Sequence, residues 1–149
     1  MTAAKIVLAF DFGLKRIGIA SGDTLTGAAA PRAAAAMGGA GPDWEAIAEQ
    51  VRVLAPALLV VGAPYSADGS ESALTHAARG FAGELGRRFA LPVQLVDERY
   101  SSLEAGAALK SQRASGQRRR RVRRADIDSA AAAVILGRFL RGEGTRSHD

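Results

Sequence analysis

Apolar residues fall in short blocks separated by glycine, proline and polar positions. Ile6-Val7-Leu8-Ala9-Phe10 is an unbroken apolar run that stops at Asp11 and Gly13, the pattern of a buried strand. Arg16 to Ser21 reads as a second strand after a tight Gly13-Leu14-Lys15 turn. Gly27 to Ala35 is a weak, alanine-rich third strand, and Gly38-Gly39-Ala40-Gly41-Pro42 reads as a loop. Asp43 can cap a helix whose apolar positions, Trp44, Ile47, Val51 and Leu54, recur at helical spacing. Ala57 to Gly62 is a further buried strand, followed by a loop from Pro64 to Gly69. Ser70 opens a second helix with Leu74, Ala77, Phe81, Leu85 and Phe89 on one face. Val93 to Val96 is a short strand leading to Asp97-Glu98-Arg99, and Ser101-Ser102-Leu103-Glu104 fits a capping box for a third helix. Asp126 or Asp128 opens a last helix whose apolar face is Ala131, Val134, Ile135 and Phe139. An early hairpin followed by strand–helix–strand units predicts an α/β fold: a mixed sheet of five strands flanked by helices.

Composition narrows the function classes. With 149 residues the chain fits one domain, expected over 1–141 with a polar flexible tail over 142–149. Zero Cys excludes disulfides and thiolate nucleophiles, and two His, His76 and His148, cannot build a multi-histidine metal site. No run of 18 apolar residues exists, and no signal-peptide pattern opens the chain, so a cytoplasmic protein without a membrane span is expected.

The net charge of +5 hides an uneven distribution. Ala105 to Ala125 hold Lys110 and seven Arg with no acidic residue, a charge of +8; the remainder, with 12 basic and 15 acidic residues, carries −3. Arg118, Arg119, Arg120, Arg121, Arg123 and Arg124 form the dense part. Guanidinium pairs with phosphate in a bidentate fork, so this run is an electrostatic footprint for nucleic acid; the alternative is a solvated loop.

Three carboxylates sit where carboxylates are costly. Asp11 closes an apolar strand, Glu98 follows another, and Asp128 lies at the start of an apolar helix. Each has a plain alternative: a turn contact for Asp11, a pairing with Arg99 for Glu98, an ordinary helix cap for Asp128. In a mixed sheet with strands one and four side by side, strand ends meet, and the last helix can bring Asp128 to that end. Three converging carboxylates suit a hard divalent cation, Mg²⁺ or Mn²⁺. Two such ions about 3.5–4 Å apart can clamp a phosphodiester, with no Ser, Cys or His nucleophile needed.

Four segments carry a resemblance. Asp11 to Ala20 (DFGLKRIGIA), Val61 to Ser70 (VGAPYSADGS), Leu91 to Ser102 (LPVQLVDERYSS) and Asp128 to Leu136 (DSAAAAVIL) resemble, in order, the four motifs of the YqgF/RuvX family. The resemblance spans Lys5 to Leu140. It implies a ribonuclease H-like fold and a nuclease, described either as a Holliday-junction resolvase or as processing the 5′ end of precursor 16S ribosomal RNA. It implies Asp11, Glu98 and Asp128 as catalytic and metal-holding residues, with Asp126 the second choice for the third position. Lys15 and Arg16, in the first motif's turn, could touch phosphate, and Arg99 could orient Glu98 or contact substrate; each could equally serve as a structural ion-pair partner. The Pro64 to Ser70 loop is either a phosphate cradle before a helix N-terminus or a plain turn. Trp44, at helical spacing with Ile47 and Val51, reads as core rather than as a base-stacking platform.

Departures from the family pattern fall away from the carboxylates. Ala63 and Ser66 stand where a larger apolar residue and Asn are frequent, and an Arg run precedes Asp128 where a single Lys is usual. They bear on substrate preference rather than on chemistry. A phosphotransferase of the actin and sugar-kinase type shares an Asp-x-Gly after its first strand, but needs two domains, for which 149 residues leave no room. A non-catalytic RNA-binding protein of the same fold is the remaining alternative, and all three carboxylates are present against it.

Overall fold

The computed structural model describes residues 5–63, 72–97 and 124–142, apart from the side chains of residues 97 and 124–126. The chain runs β1 (Ile6–Asp11), β2 (Arg16–Asp23), β3 (Ala29–Gly38), β4 (Gly41–Pro42), α1 (Trp44–Leu54), β5 (Leu58–Ala63), α2 (Ala73–Phe89), β6 (Val93–Asp97) and α3 (Arg124–Leu140). The strands form one mixed sheet in the order β4-β3-β2-β1-β5-β6. β1 pairs antiparallel with β2 and parallel with β5, and β5 pairs parallel with β6.

The sheet has six strands rather than the five expected. The extra one lies inside the expected Gly38–Pro42 loop: Met37 pairs with Pro42 and Gly38 with Gly41, closing a hairpin over Gly39 and Ala40. Gly41 takes φ +107, a conformation that side chains rarely adopt, and Pro42 sits at the sheet edge, where its missing N–H costs no ladder bond. β1 does lie beside the fourth strand read from the sequence, here β5. The strand leading to Glu98 is one further out, so β5 stands between it and Asp11.

Strand alternation divides the core. Leu8, Phe10, Ile17, Ile19, Leu59 and Val61 face α1 and α2, joined by Ile47, Phe81 and Leu85. Val7, Ala9, Ala20 and Val60 face the other way, onto Ala132, Ile135 and Leu136 of α3. β1 is buried on both sides, which is why its sequence is apolar without alternation.

Two helices start elsewhere than expected. The cap of α2 is Ser72, not Ser70: its hydroxyl accepts from the Thr75 N–H, and the Thr75 hydroxyl accepts from the Ser72 N–H at 3.0 Å. That start rotates the buried face to Thr75, Ala78, Phe81, Ala82 and Leu85, leaving Ala77 exposed. α3 begins at Arg124, so neither Asp126 nor Asp128 opens it; Asp128 lies one turn inside, and Val134 is only half-buried while Leu136 takes its place in the core. Asp43 caps α1 as expected, accepting from the Ala46 N–H at 3.2 Å. The expected third helix at Ser101 and the tail over 142–149, beyond Gly142, lie outside the described residues. No helix among the described residues is long and apolar enough to cross a membrane.

Candidate active site

The site is built from the end of β1, the turn after it, and the first turns of α3. Asp11 is the last residue of β1, half-buried, and alternation with Val7 and Ala9 puts it on the α3 face. Across the ladder its partner is Gly18 of β2. Gly18 is also where α3 comes closest to the sheet. A Cβ there would stand 2.0 Å from the Asp128 carbonyl oxygen and 2.9 Å from the Ser129 nitrogen. Only a residue without a side chain permits that approach. One glycine thus sits between the two carboxylate-bearing positions, opposite Asp11 in the ladder and in contact with the backbone of Asp128.

The β2–β3 register shifts between Ile17 and Ile19: Ile17 pairs with Ala35 and Ile19 with Arg32, so Ala33 and Ala34 of β3 stand opposite the single Gly18. Next to it, the buried Ser129 hydroxyl lies 3.5 Å from the Ile19 N–H, at the outer limit of a hydrogen bond. Ser129 thereby helps seat α3 on β2. Sequence reading does not single it out; its one signal is a hydroxyl in an otherwise alanine-rich buried face.

Arg16 opens β2 and points at the same place. Its Nε donates to Asp128 Oδ2 at 2.7 Å, and the two side chains are 30% and 29% exposed. Lys15, beside it, is exposed. Gly13, Leu14, Lys15, Arg16, Leu74 and Asp128 line an open cleft of about 310 Å³. The cleft therefore presents a carboxylate, a guanidinium and an ammonium beside two apolar side chains. Leu14 and Leu74 were not expected in the site; Leu14 is 73% exposed, an unusual position for a leucine on a tight turn.

The structure brings Lys15, Arg16 and Asp128 together around the cleft, and sets Asp11 across the ladder from Gly18, which abuts the Asp128 backbone. Glu98, Arg99, Arg118, Arg119, Arg120, Arg121 and Arg123 lie outside the described residues, as does the Pro64–Ser70 loop; Arg124 and Asp126 lie in α3, described in their backbone only. β6 runs parallel to β1 and β5, and the residue partners Asp11–Gly62 and Gly62–Val96 carry its C-terminal end to the same end of the sheet as Asp11. Among the described residues no group of three His, Cys, Asp or Glu side chains stands ready for a metal.

Comparison with known proteins bears on the family and the fold. The family model described as RuvX, Holliday junction resolvase, matches residues 5–142. A protein of Legionella pneumophila (strain Paris) named "Putative pre-16S rRNA nuclease" is 44% identical over 135 residues, 91% of this chain and 94% of the relative. One of the same name from Edwardsiella ictaluri (strain 93-146) is 42% identical over 132 residues, 89% of this chain and 91% of the relative. Among solved structures, T. thermophilus RuvC in complex with Holliday junction substrate matches with a TM-score of 0.57 at 14% identity, covering 94% of this chain and 98% of that one. That likeness establishes a ribonuclease H-like fold. With a family match across almost its whole length and relatives above two-fifths identity, the chain belongs to the RuvX family of nucleases and resolvases.

Proposed function

We propose that the protein is a metal-dependent endonuclease that hydrolyses phosphodiester bonds in structured nucleic acid and trims the 5′ end of precursor 16S ribosomal RNA. The observation that carries the reading is the seating of Asp128 against Gly18, opposite Asp11, with Arg16 on the Asp128 carboxylate. The relatives' name supplies the substrate. A second reading, cleavage of four-way DNA junctions, is favoured by the description of the family model.

In this reading Asp11, Glu98 and Asp128 are the catalytic residues and would hold Mg²⁺ or Mn²⁺. The donor set fits hard cations: it is all carboxylate oxygen, and Asp128 already attracts a cationic partner. Such ions, if bound there, would supply acidification of a water and an offset to charge on the phosphate. The protein's own part is positioning. Asp11 is fixed by the ladder of β1, Asp128 by the glycine contact. Lys15 and Arg16 flank the cleft and would receive the phosphate oxygens, Arg16 exchanging its bond to Asp128 for one to phosphate. Water adds to phosphorus and gives up a proton, the bond to the 3′ oxygen breaks, and that oxygen takes up a proton to leave as a 3′ hydroxyl, with the phosphate kept on the 5′ side.

A cleavage assay with Mg²⁺ or Mn²⁺ tests this, offering a 5′-extended ribosomal RNA precursor and a four-way DNA junction. Asp11→Asn is expected to abolish cutting while binding persists. Cutting by that variant at the wild-type rate would remove Asp11 from the site, and preference for the junction would transfer the substrate to the second reading.

A further inference from the structure

The open cleft at the end of β1 carries cations of its own. Among the described residues its charged lining groups are Lys15, Arg16 and Asp128, two positive and one negative. A divalent cation approaching Asp128 therefore meets a lining that is already more than neutralised. One Asp128 oxygen, Oδ2, is taken by the Arg16 Nε at 2.7 Å. A guanidinium and a divalent ion on the same carboxylate are like charges at close range, and they repel.

The pair can exchange without moving the fold. The backbone of Arg16 is held where it opens β2, opposite Ala36 of β3, and the carbonyl of Lys15 before it accepts from the Met37 N–H at 3.0 Å. Asp128 is held by the close contact of its own backbone with Gly18. Between these two anchors the side chains are 30% and 29% exposed, so the guanidinium can swing toward solvent alone. Its hold is a single bond, from Nε to Oδ2. A phosphate offers the same guanidinium two parallel bonds, and so competes well for it.

We propose that Arg16 is a resident counter-ion that weakens the grip of Asp128 on a divalent cation until a phosphate draws the guanidinium away, so that metal loading follows the nucleic acid. This rests on the nuclease reading, which supplies both the cation and the phosphate. Each ligand displaces the same side chain, so each eases the binding of the other by the same factor. The arrangement keeps the site poorly loaded when no strand lies in it.

Two binding readouts test this on the full-length protein, neither of which needs turnover. Mn²⁺ affinity is read from the loss of the free-ion EPR signal, in about 0.15 M salt so that more distant charges are screened. Arg16→Gln is expected to bind Mn²⁺ roughly two- to fivefold more tightly than wild type, as the loss of an ion pair at this exposure allows. Lys15→Gln removes the same charge from the same cleft, and Lys15 makes no ion pair with Asp128, so its affinity should stay close to wild type. The second readout is the Arg16 Nε–H resonance in protein carrying isotope-labelled arginine, assigned by its loss in Arg16→Lys. Saturating Mg²⁺ should move it, and so should a single-stranded RNA oligonucleotide bound in EDTA, where no metal supports cutting. This readout is made on the wild-type protein, so it decides the matter even where Arg16→Gln destabilises the fold. Mn²⁺ affinity of Arg16→Gln equal to or below wild type at equal melting temperature, an equal gain in Lys15→Gln, or a resonance left in place by either ligand overturns the proposal. With Mn²⁺ still bound, each of these leaves the nuclease reading intact. No Mn²⁺ bound by wild type or by either Gln variant, with no cleavage of the RNA precursor or the junction, removes that reading and the proposal with it.

Discussion

At the scale of single residues, the site depends more on a missing side chain than on an ion pair. The Arg16–Asp128 pair is about a third exposed, and pairs of that kind contribute about 0–1 kcal/mol to stability. Its value lies in orienting a carboxylate. Gly18 is different, because the atoms a Cβ would meet are backbone and cannot rotate away. Gly18→Ala must push α3 off β2, an overpacking that costs about 1–3 kcal/mol. The expected fall in melting temperature is roughly 2–12 °C for a chain of this size. Cleavage should fall further than stability does, because Asp128 moves with the helix. Gly39→Ala is the control, since a Cβ there meets nothing within 4 Å. Equal melting temperatures and rates for the two variants would show that the close approach at Gly18 does not hold the site.

At the scale of elements, the β2–β3 hairpin shows what the hydrophobic pattern conveys and what it omits. β1 and β2 are legible because apolar runs of that length have few other uses. β3 is weak because most of its ten residues are alanine or glycine, and Ala contrasts little between faces. Helix starts are ambiguous for a related reason: Ser70 and Ser72 are equivalent caps in sequence, and only Thr75, buried three residues on, selects the second. The turn that launches β3 offers a test. Asp23 accepts from the Thr26 N–H at 2.7 Å, the Thr26 hydroxyl at 2.9 Å and the Leu25 N–H at 3.0 Å. These bonds, the Thr26 backbone N–H foremost, hold its carboxyl below its ordinary value of 3.8. A depressed folded-state value means a contribution fully present above the ordinary range and lost as pH falls through the depressed one. Asp23→Ala should therefore melt lower than wild type at pH 7, by a gap that narrows below pH 3.8. Asp23→Asn should keep part of the turn and lose the pH dependence. A gap constant from neutral pH to acid would mean the carboxylate does not stabilise the turn.

At the scale of the whole molecule, topology brings the ends of β1 and β6 and the first turns of α3 to one end of the sheet. Four motifs in family order are enough to name Asp11 and Asp128, because both mark where an apolar element meets polar surroundings. That α3 can bring Asp128 to the sheet end of Asp11 is also readable; the close approach to Gly18 that seats it there is not, since period and propensity do not encode it. Trp44 is the plainer case: its helical stripe predicts core, and it packs half-buried on the core. In sequence the +8 segment ends where α3 begins, one turn before Asp128, and under the proposed function it is expected to attract the strand to be cut. The −3 remainder would repel phosphate at long range, so under the proposed function that segment is expected to be the main source of affinity. Each arginine–phosphate pairing removed should flatten the plot of log affinity against log salt by about 0.9 for a duplex and about 0.7 for a single strand. Replacing Arg118, Arg119, Arg120 and Arg121 with Ser should weaken binding most at low salt and bring the wild-type and variant curves together as salt rises, because screening removes what the arginines supply. Filter binding or anisotropy across a salt series reads this directly. Parallel curves with a constant offset would mean that the run acts through structure rather than through phosphate, and coincident curves that it is only solvated surface.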